Sequence, residues 1–249
     1  MEDNFIDLTV TSPPYDNLRT YNDNIDETWG EYVWKPIIKE LYRVTKEGGV
    51  VVWVVGDATI NGSETGVSFQ QALWAKECGF NLHDTMIYAK QNPIPLTHNR
   101  YEQGFEFMFV FSKGKPKSFN PIMEKCVTNG QYNHRRNTGR VKESATRNRD
   151  EITYVKKEKQ KVNIWFYSIG TNDDRPNHPA PYPEKLVRDH IKSWSNEGDI
   201  VYDPFMGSGT TAKMAHLLKR KWIGSELSQE YVDLAYKRLE PYLTQTTLF

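Results

Sequence analysis

Apolar residues along this chain recur in blocks of two periods. Phe5, Ile6, Leu8 and Val10 read as a short buried strand over 5–10, ended at Ser12-Pro13-Pro14 because proline offers no amide to a sheet ladder. Val33, Ile37, Leu41 and Val44 then fall at helical spacing and predict a helix over 29–46, with Gly48-Gly49 as its stop. Residues 50–55 form an unbroken apolar run, the signature of a strand covered on both faces. A second helix is predicted over 69–78, with Ser68 as N-cap and Gly79 as stop, and further strands over 83–88 and 105–111. Regular patterning returns as a helix over 183–194, a strand over 200–202, a helix over 211–218, a strand over 222–225 and a helix over 229–239 that Ser228 would cap. Strands alternating with helices predict an α/β fold with a mostly parallel central sheet.

The periodicity fails between Lys113 and Lys161, and charge takes its place. This stretch holds 14 Lys+Arg against 5 Asp+Glu, a net +9 within a chain of formal net charge zero, so the remainder carries −9. A basic block inside an acidic protein is the footprint of a segment that meets phosphates. Arg135, Arg136, Arg140, Arg147 and Arg149 are its candidate nucleic-acid contacts, mostly to phosphates, with one or two reading guanine edges. The 249 residues suit one domain with an insertion, divided as 1–112, 113–161 and 162–249.

The two cysteines, Cys78 and Cys126, lack any CxxC or Cys/His ligand spacing, so neither a disulfide framework nor a metal site is expected and a reducing cytoplasm is the expected location. With no apolar run near 18 residues and no basic leader, neither membrane insertion nor secretion is expected.

Two short segments carry the chemistry. Asp203-Pro204-Phe205-Met206-Gly207-Ser208-Gly209-Thr210-Thr211 lies where a strand passes into a helix, and its glycines permit a tight turn with backbone amides facing a ligand. It lacks the lysine of a phosphate-binding P-loop. Gly207-x-Gly209-x-x-Ala212 formally matches a dinucleotide fingerprint, and Glu226 beyond the next strand would accept ribose hydroxyls from NAD or S-adenosylmethionine alike. The late position of the turn disfavours NAD, whose folds open with it. The second segment, Ser12-Pro13-Pro14-Tyr15, follows the first strand. Its Ser12 hydroxyl and Pro13 carbonyl, held by two fixed proline φ angles, suit the two hydrogens of an exocyclic amino group, whose lone pair must be localised before it can attack. Tyr15 would stack on a base flipped out of a duplex.

In this order the segments resemble the β-class of S-adenosylmethionine-dependent DNA amino-methyltransferases, the TSPPY type that methylates cytosine N4 or adenine N6. The resemblance covers nearly the whole length. It extends to Lys90-Gln91-Asn92-Pro93 with Arg100 and Phe105-Glu106-Phe107, which resemble the segment flanking the flipped base, and to Asn163-Ile164-Trp165 through Asn177-His178-Pro179-Ala180-Pro181-Tyr182-Pro183, which resemble the wrap around the cofactor's methionine. It implies a Rossmann-like methyltransferase fold of circularly permuted motif order, a small basic target-recognition insertion, S-adenosylmethionine as cofactor and double-stranded DNA as partner. It further implies catalytic roles for Ser12, Pro13, Pro14 and Tyr15, and cofactor contacts from Trp165, His178, Pro179, Ala180, Asp203, Pro204, Phe205, Gly207, Ser208, Gly209, Thr210, Thr211 and Glu226. Ser12 and the sequence His-Pro-Ala-Pro-Tyr-Pro favour cytosine N4, with adenine N6 the alternative. A DNA-binding module without catalysis and a nicotinamide-dependent oxidoreductase are the competing classes. A cognate restriction endonuclease fits this reading, and monomer and homodimer both stay open. Glu106 is expected to pair with a cation such as Arg100 or to be exposed. Family members often carry another strand ahead of the catalytic motif; here ten residues precede Thr11, so that strand is missing or residues 244–249 take its place.

Overall fold

The structure, a computed structural model, describes residues 1–14, 29–93, 100–126, 156–168 and 183–243, together with the backbone of two short strands at 132–134 and 152–154. Tyr15, Arg135, Arg136, Arg140, Arg147, Arg149, His178, Pro179, Ala180 and the segment 244–249 lie outside the described residues.

In chain order the elements are β1 (Ile6–Thr11), α1 (Glu31–Val44), β2 (Thr45–Val55), β3 (Thr59–Ile60), β4 (Ser63–Glu64), α2 (Val67–Glu77), β5 (Asn81–Lys90) and β6 (Phe105–Ser112). Next come the short strands β7 (Met123–Lys125), β8 (Tyr132–His134), β9 (Ile152–Tyr154) and β10 (Glu158–Gln160), then β11 (Ile164–Tyr167), α3 (Glu184–Trp194), β12 (Ile200–Asp203), α4 (Thr210–Leu217), β13 (Lys221–Gly224) and α5 (Gln229–Leu243). Seven strands form one sheet in the order β11-β5-β6-β2-β1-β12-β13. β6 runs antiparallel to both of its neighbours, and the other four pairings are parallel. β1 and β2 are buried because helices cover both faces. α1 and α2 pack on Ile6, Val51, Trp53 and Val55, while α3 and α4 lie against the opposite face, where His190 of α3 reaches Met108. Among the described residues no helix is long and apolar enough to cross a membrane.

The chain divides into two compact units, 1–120 with 163–249, and 121–162. The second unit holds two antiparallel ladders, β7 with β10 and β8 with β9, where the sequence pattern predicts little regular structure. Residues 113–120 belong to the first unit: Lys113 exchanges two backbone hydrogen bonds with the Gly48-Gly49 pair, and Lys117 donates its amide to the Gly48 carbonyl.

Several local expectations are corrected. Gly48-Gly49 do not stop α1, which ends at Val44; they sit inside β2, where Gly48 adopts φ +78° and the pairing with β1 shifts register. The buried face of α1 is Trp34, Ile38, Leu41 and Val44, with Val33 and Ile37 only half-buried, because the large indole takes the core position. Ser68 is not the cap of α2; Gly66 precedes the helix, and Asp57 accepts both the amide (2.9 Å) and hydroxyl (2.5 Å) of Ser68. β11 is a strand that the sequence pattern does not predict. Its alternation of exposed Ile164 and Phe166 with buried Trp165 and Tyr167 spans only four residues, too few to stand out. Among the described residues β13 is the sheet's last strand on the β12 side; residues 244–249 lie outside the described residues.

Candidate active site

β1, β2, β5, β11, β12 and β13 all point their carboxyl ends toward one edge of the sheet. From β1 the chain moves to β2 through α1 on one face, whereas from β12 it moves to β13 through α4 on the other. β1 and β12 are adjacent, so the connections diverge between them and leave a crevice at their carboxyl ends, the place where open α/β sheets bind ligands. The two chemistry-bearing segments of the sequence emerge there, Ser12-Pro13-Pro14 from β1 and Asp203 to Thr211 from β12.

Hydrogen bonds among the described residues join the end of β1 to the glycine turn. Thr11 donates its hydroxyl to Asp203 Oδ1 at 2.7 Å with both residues buried, and Thr211 donates its hydroxyl to the Val10 carbonyl at 3.2 Å. Asp203 Oδ1 also accepts the Phe205 amide at 3.0 Å, so one carboxylate holds the end of β1 and the first bend of the turn. Pro13 is buried, whereas Ser12 and Pro14 are half-buried at the crevice.

The glycine turn uses backbone conformations that favour glycine. Gly207 and Gly209 have φ +49° and +79°, a region costly for residues bearing a Cβ. Gly209 precedes α4, and a Cβ there would lie 2.9 Å from the Cβ of Ala235 on α5. At Gly224 a Cβ would come within 2.0 Å of Met206 Sδ, so the end of β13 presses directly on the turn. Phe205 lies edge-on to Trp29 and Trp53, centroids 5.5 and 6.2 Å apart, which fixes the turn against the sheet. Tyr202 beneath it shares a 2.9 Å hydrogen bond with Ser225, and burial pushes its phenol pKa upward.

Glu226, half-buried beyond β13, accepts the Gly207 amide on Oε2 and the Leu227 and Ser228 amides on Oε1, each at 2.9 Å. A carboxylate has about four acceptor sites, so roughly one stays available for a ligand hydroxyl. Its role in ordering both the turn and the entry to α5 is not legible from sequence. Ser208, Thr210 and Thr211 are buried; Ser208 and Thr210 face Arg238, and Thr211 faces β1. Pro204 and Phe205 are half-buried in the same turn. Trp165 is buried on β11 with its ring 4.7 Å from that of His190, an anchor between strand and helix.

Glu106 pairs with Lys90 across β5 and β6 at 2.9 Å, not with Arg100, which donates to the Gly62 carbonyl and lies 3.8 Å from Glu64. Sequence reasoning gives no role to Glu184, Lys213 or Arg238, and reads Thr11 only as the first residue of the segment resembling the catalytic motif. Lys213 carries a usable signal, a lysine inside the apolar run Ala212-Lys213-Met214-Ala215.

Residues 6–237 match the family model for the N6/N4 DNA methylases. The chain belongs to this DNA methylase family. A curated relative, the orphan methyltransferase M.BamHII of Bacillus amyloliquefaciens, is 53% identical over 249 residues, covering 96% of this methylase and 90% of the relative. Among solved structures, the M1.HpyAVI–SAM complex is similar with TM-score 0.62 and 25% identity, covering 94% of this methylase and 89% of that chain. The PvuII DNA methyltransferase (cytosine-N4-specific) shares the fold with TM-score 0.68 at 20% identity, covering 95% and 80% of the two chains.

The site's residues fit the cofactor of such an enzyme. Two left-handed glycines, the amino end of α4 and a half-buried carboxylate meet at the crevice, a set suited to the adenosine part of the cofactor.

Proposed function

We propose that this DNA methylase transfers a methyl group from S-adenosylmethionine to the exocyclic N4 amino group of a cytosine flipped out of double-stranded DNA. The observation that carries the reading is the Thr11–Asp203 hydrogen bond, which sets the Ser12-Pro13 turn beside the glycine turn at the point where the sheet's connections diverge. S-adenosylmethionine supplies the electrophilic methyl group. Glu226 accepts a ribose hydroxyl, and the turn from Asp203 to Thr211, with His178, Pro179 and Ala180, encloses the remainder. Ser12 Oγ and the Pro13 carbonyl would accept hydrogen bonds from the two amino hydrogens and localise the nitrogen lone pair toward the methyl; as the N–C bond forms the sulfonium S–C bond breaks, the cofactor leaves as a neutral thioether, and one amino proton is released to solvent. Pro14 stiffens the turn, and Tyr15 stacks on the base. Ser12 supports cytosine as the target. The basic insertion contacts the duplex through Arg135, Arg136, Arg140, Arg147 and Arg149. Similarity to an orphan methyltransferase supports activity without a partner nuclease.

Kinetics on Ser12→Ala test the assignment. Turnover should fall at least about a hundredfold while the Kd for S-adenosylmethionine stays within about threefold, since the missing acceptor acts only on the amino group. Glu226→Ala should do the reverse. Equal loss of binding and turnover in Ser12→Ala would make the turn a scaffold and contradict the proposal.

A further inference from the structure

Three charged side chains meet behind the glycine turn. Glu184 Oε1, in the first turn of α3, accepts Lys213 Nζ of α4 at 2.9 Å and Arg238 Nη2 of α5 at 2.8 Å. All three are withdrawn from solvent, their side chains 15, 5 and 8% exposed. The other arm of Arg238, Nη1, donates to the Ser208 carbonyl at 2.6 Å and to Ser208 Oγ at 3.0 Å. One guanidinium therefore bridges the glycine turn and the start of α3. Ala235, one helical turn earlier on α5, is the residue against which Gly209 packs, so α5 grips the turn at two points.

Charged groups are expensive to bury, and an apolar contact would join three helices at lower cost. What the cluster adds is a fixed direction. The fork of Arg238 orients the Ser208 carbonyl, and the shared carboxylate holds that fork. Glu184 also follows directly on Pro183, where the segment resembling the methionine wrap ends. We propose that Glu184, Arg238 and Lys213 are positioning residues for cofactor binding: the cluster locks the glycine turn to the start of α3, so the turn holds one geometry toward the cofactor. This deepens the methyltransferase reading and rests on it.

The test uses the full-length protein with Arg238→Lys, Glu184→Gln and Glu184→Asp, and Arg220→Lys as a control. Arg220 donates to Ser195 Oγ and to the Ser195 carbonyl beside the amino ends of β12 and β13, at the opposite end of those strands from the turn. Calorimetry gives the S-adenosylmethionine Kd, steady-state assays give KM and kcat, and thermal melting without cofactor reports folding. Arg238→Lys keeps the charge but cannot bridge, so Kd and KM for S-adenosylmethionine should rise roughly tenfold with kcat at saturation within about twofold. Glu184→Gln should match it, Glu184→Asp should recover part of the loss, and Arg220→Lys should lower the melting temperature with Kd unchanged. If Arg238→Lys and Glu184→Gln melt earlier yet bind S-adenosylmethionine as wild type does, the cluster only holds the fold and the proposal is overturned. If wild-type protein takes up no S-adenosylmethionine, the methyltransferase reading itself fails, and the clasp with it.

Discussion

Thr11 and Asp203 lie 192 residues apart in sequence, yet the threonine hydroxyl donates to the aspartate carboxylate at 2.7 Å in a site closed to water. The bond spans adjacent strands whose carboxyl ends carry the two chemistry-bearing turns. It fixes the spacing between the segment that would receive a base and the one that would receive the cofactor. Thr11→Val retains shape and removes the donor, leaving Asp203 with the Phe205 amide as its other identified partner. The variant should lose about 2–3 kcal/mol in urea unfolding, and Thr11→Ser should lose less than about 1.

Gly209 tests the turn itself. Alanine there must hold φ +79° and fit a methyl 2.9 Å from the Ala235 Cβ. Strain and overpacking together should cost about 2–4 kcal/mol and weaken S-adenosylmethionine binding at least tenfold. Chemical denaturation with calorimetry on the same samples checks both.

Tyr167 donates to Asp189 at 2.9 Å between β11 and α3. Burial, reinforced by the Asp189 charge, raises its phenol pKa far above the ordinary value. The sign follows. The unfolded phenol loses its proton near pH 10 while the folded one keeps it, so this contribution is complete below about pH 10 and falls by roughly 1.4 kcal/mol per pH unit above it. Tyr167→Phe should lose about 1–3 kcal/mol at pH 8 and show a shallower decline from pH 10 to 11 in urea titrations.

The proposed DNA contacts of the basic insertion are tested by salt dependence. DNA affinity should fall steeply with ionic strength, and replacing Arg135 and Arg136 by glutamine should reduce the slope of log affinity against log salt by about 0.9 for each phosphate that is no longer neutralised. Unchanged slopes would place the DNA-binding surface elsewhere.

Much of the architecture is legible because buried strands announce themselves: residues 50–55 and 105–111 appear as β2 and β6, and the late β-α-β-α run as β12, α4, β13 and α5. Boundaries set by tertiary context are not. Gly48 and Gly49 look like a helix stop in sequence, but their role depends on the backbone of Lys113, which no local pattern discloses. The same holds at the site. Glycines and prolines mark turns through local backbone rules, so both turns are readable. Glu226 stands out by its position after a strand, yet its three backbone partners come from two different turns. Glu184, Lys213 and Arg238 stand on three helices, and only the folded chain brings them to one point.

The central claim is most directly tested by the product. The protein is incubated with methyl-labelled S-adenosylmethionine and DNA of mixed sequence, the DNA is hydrolysed to nucleosides, and the labelled species are separated. Label should appear in N4-methylcytosine. Label confined to N6-methyladenine would overturn the choice of base while leaving amino-group transfer intact, and DNA without label would contradict the account as a whole.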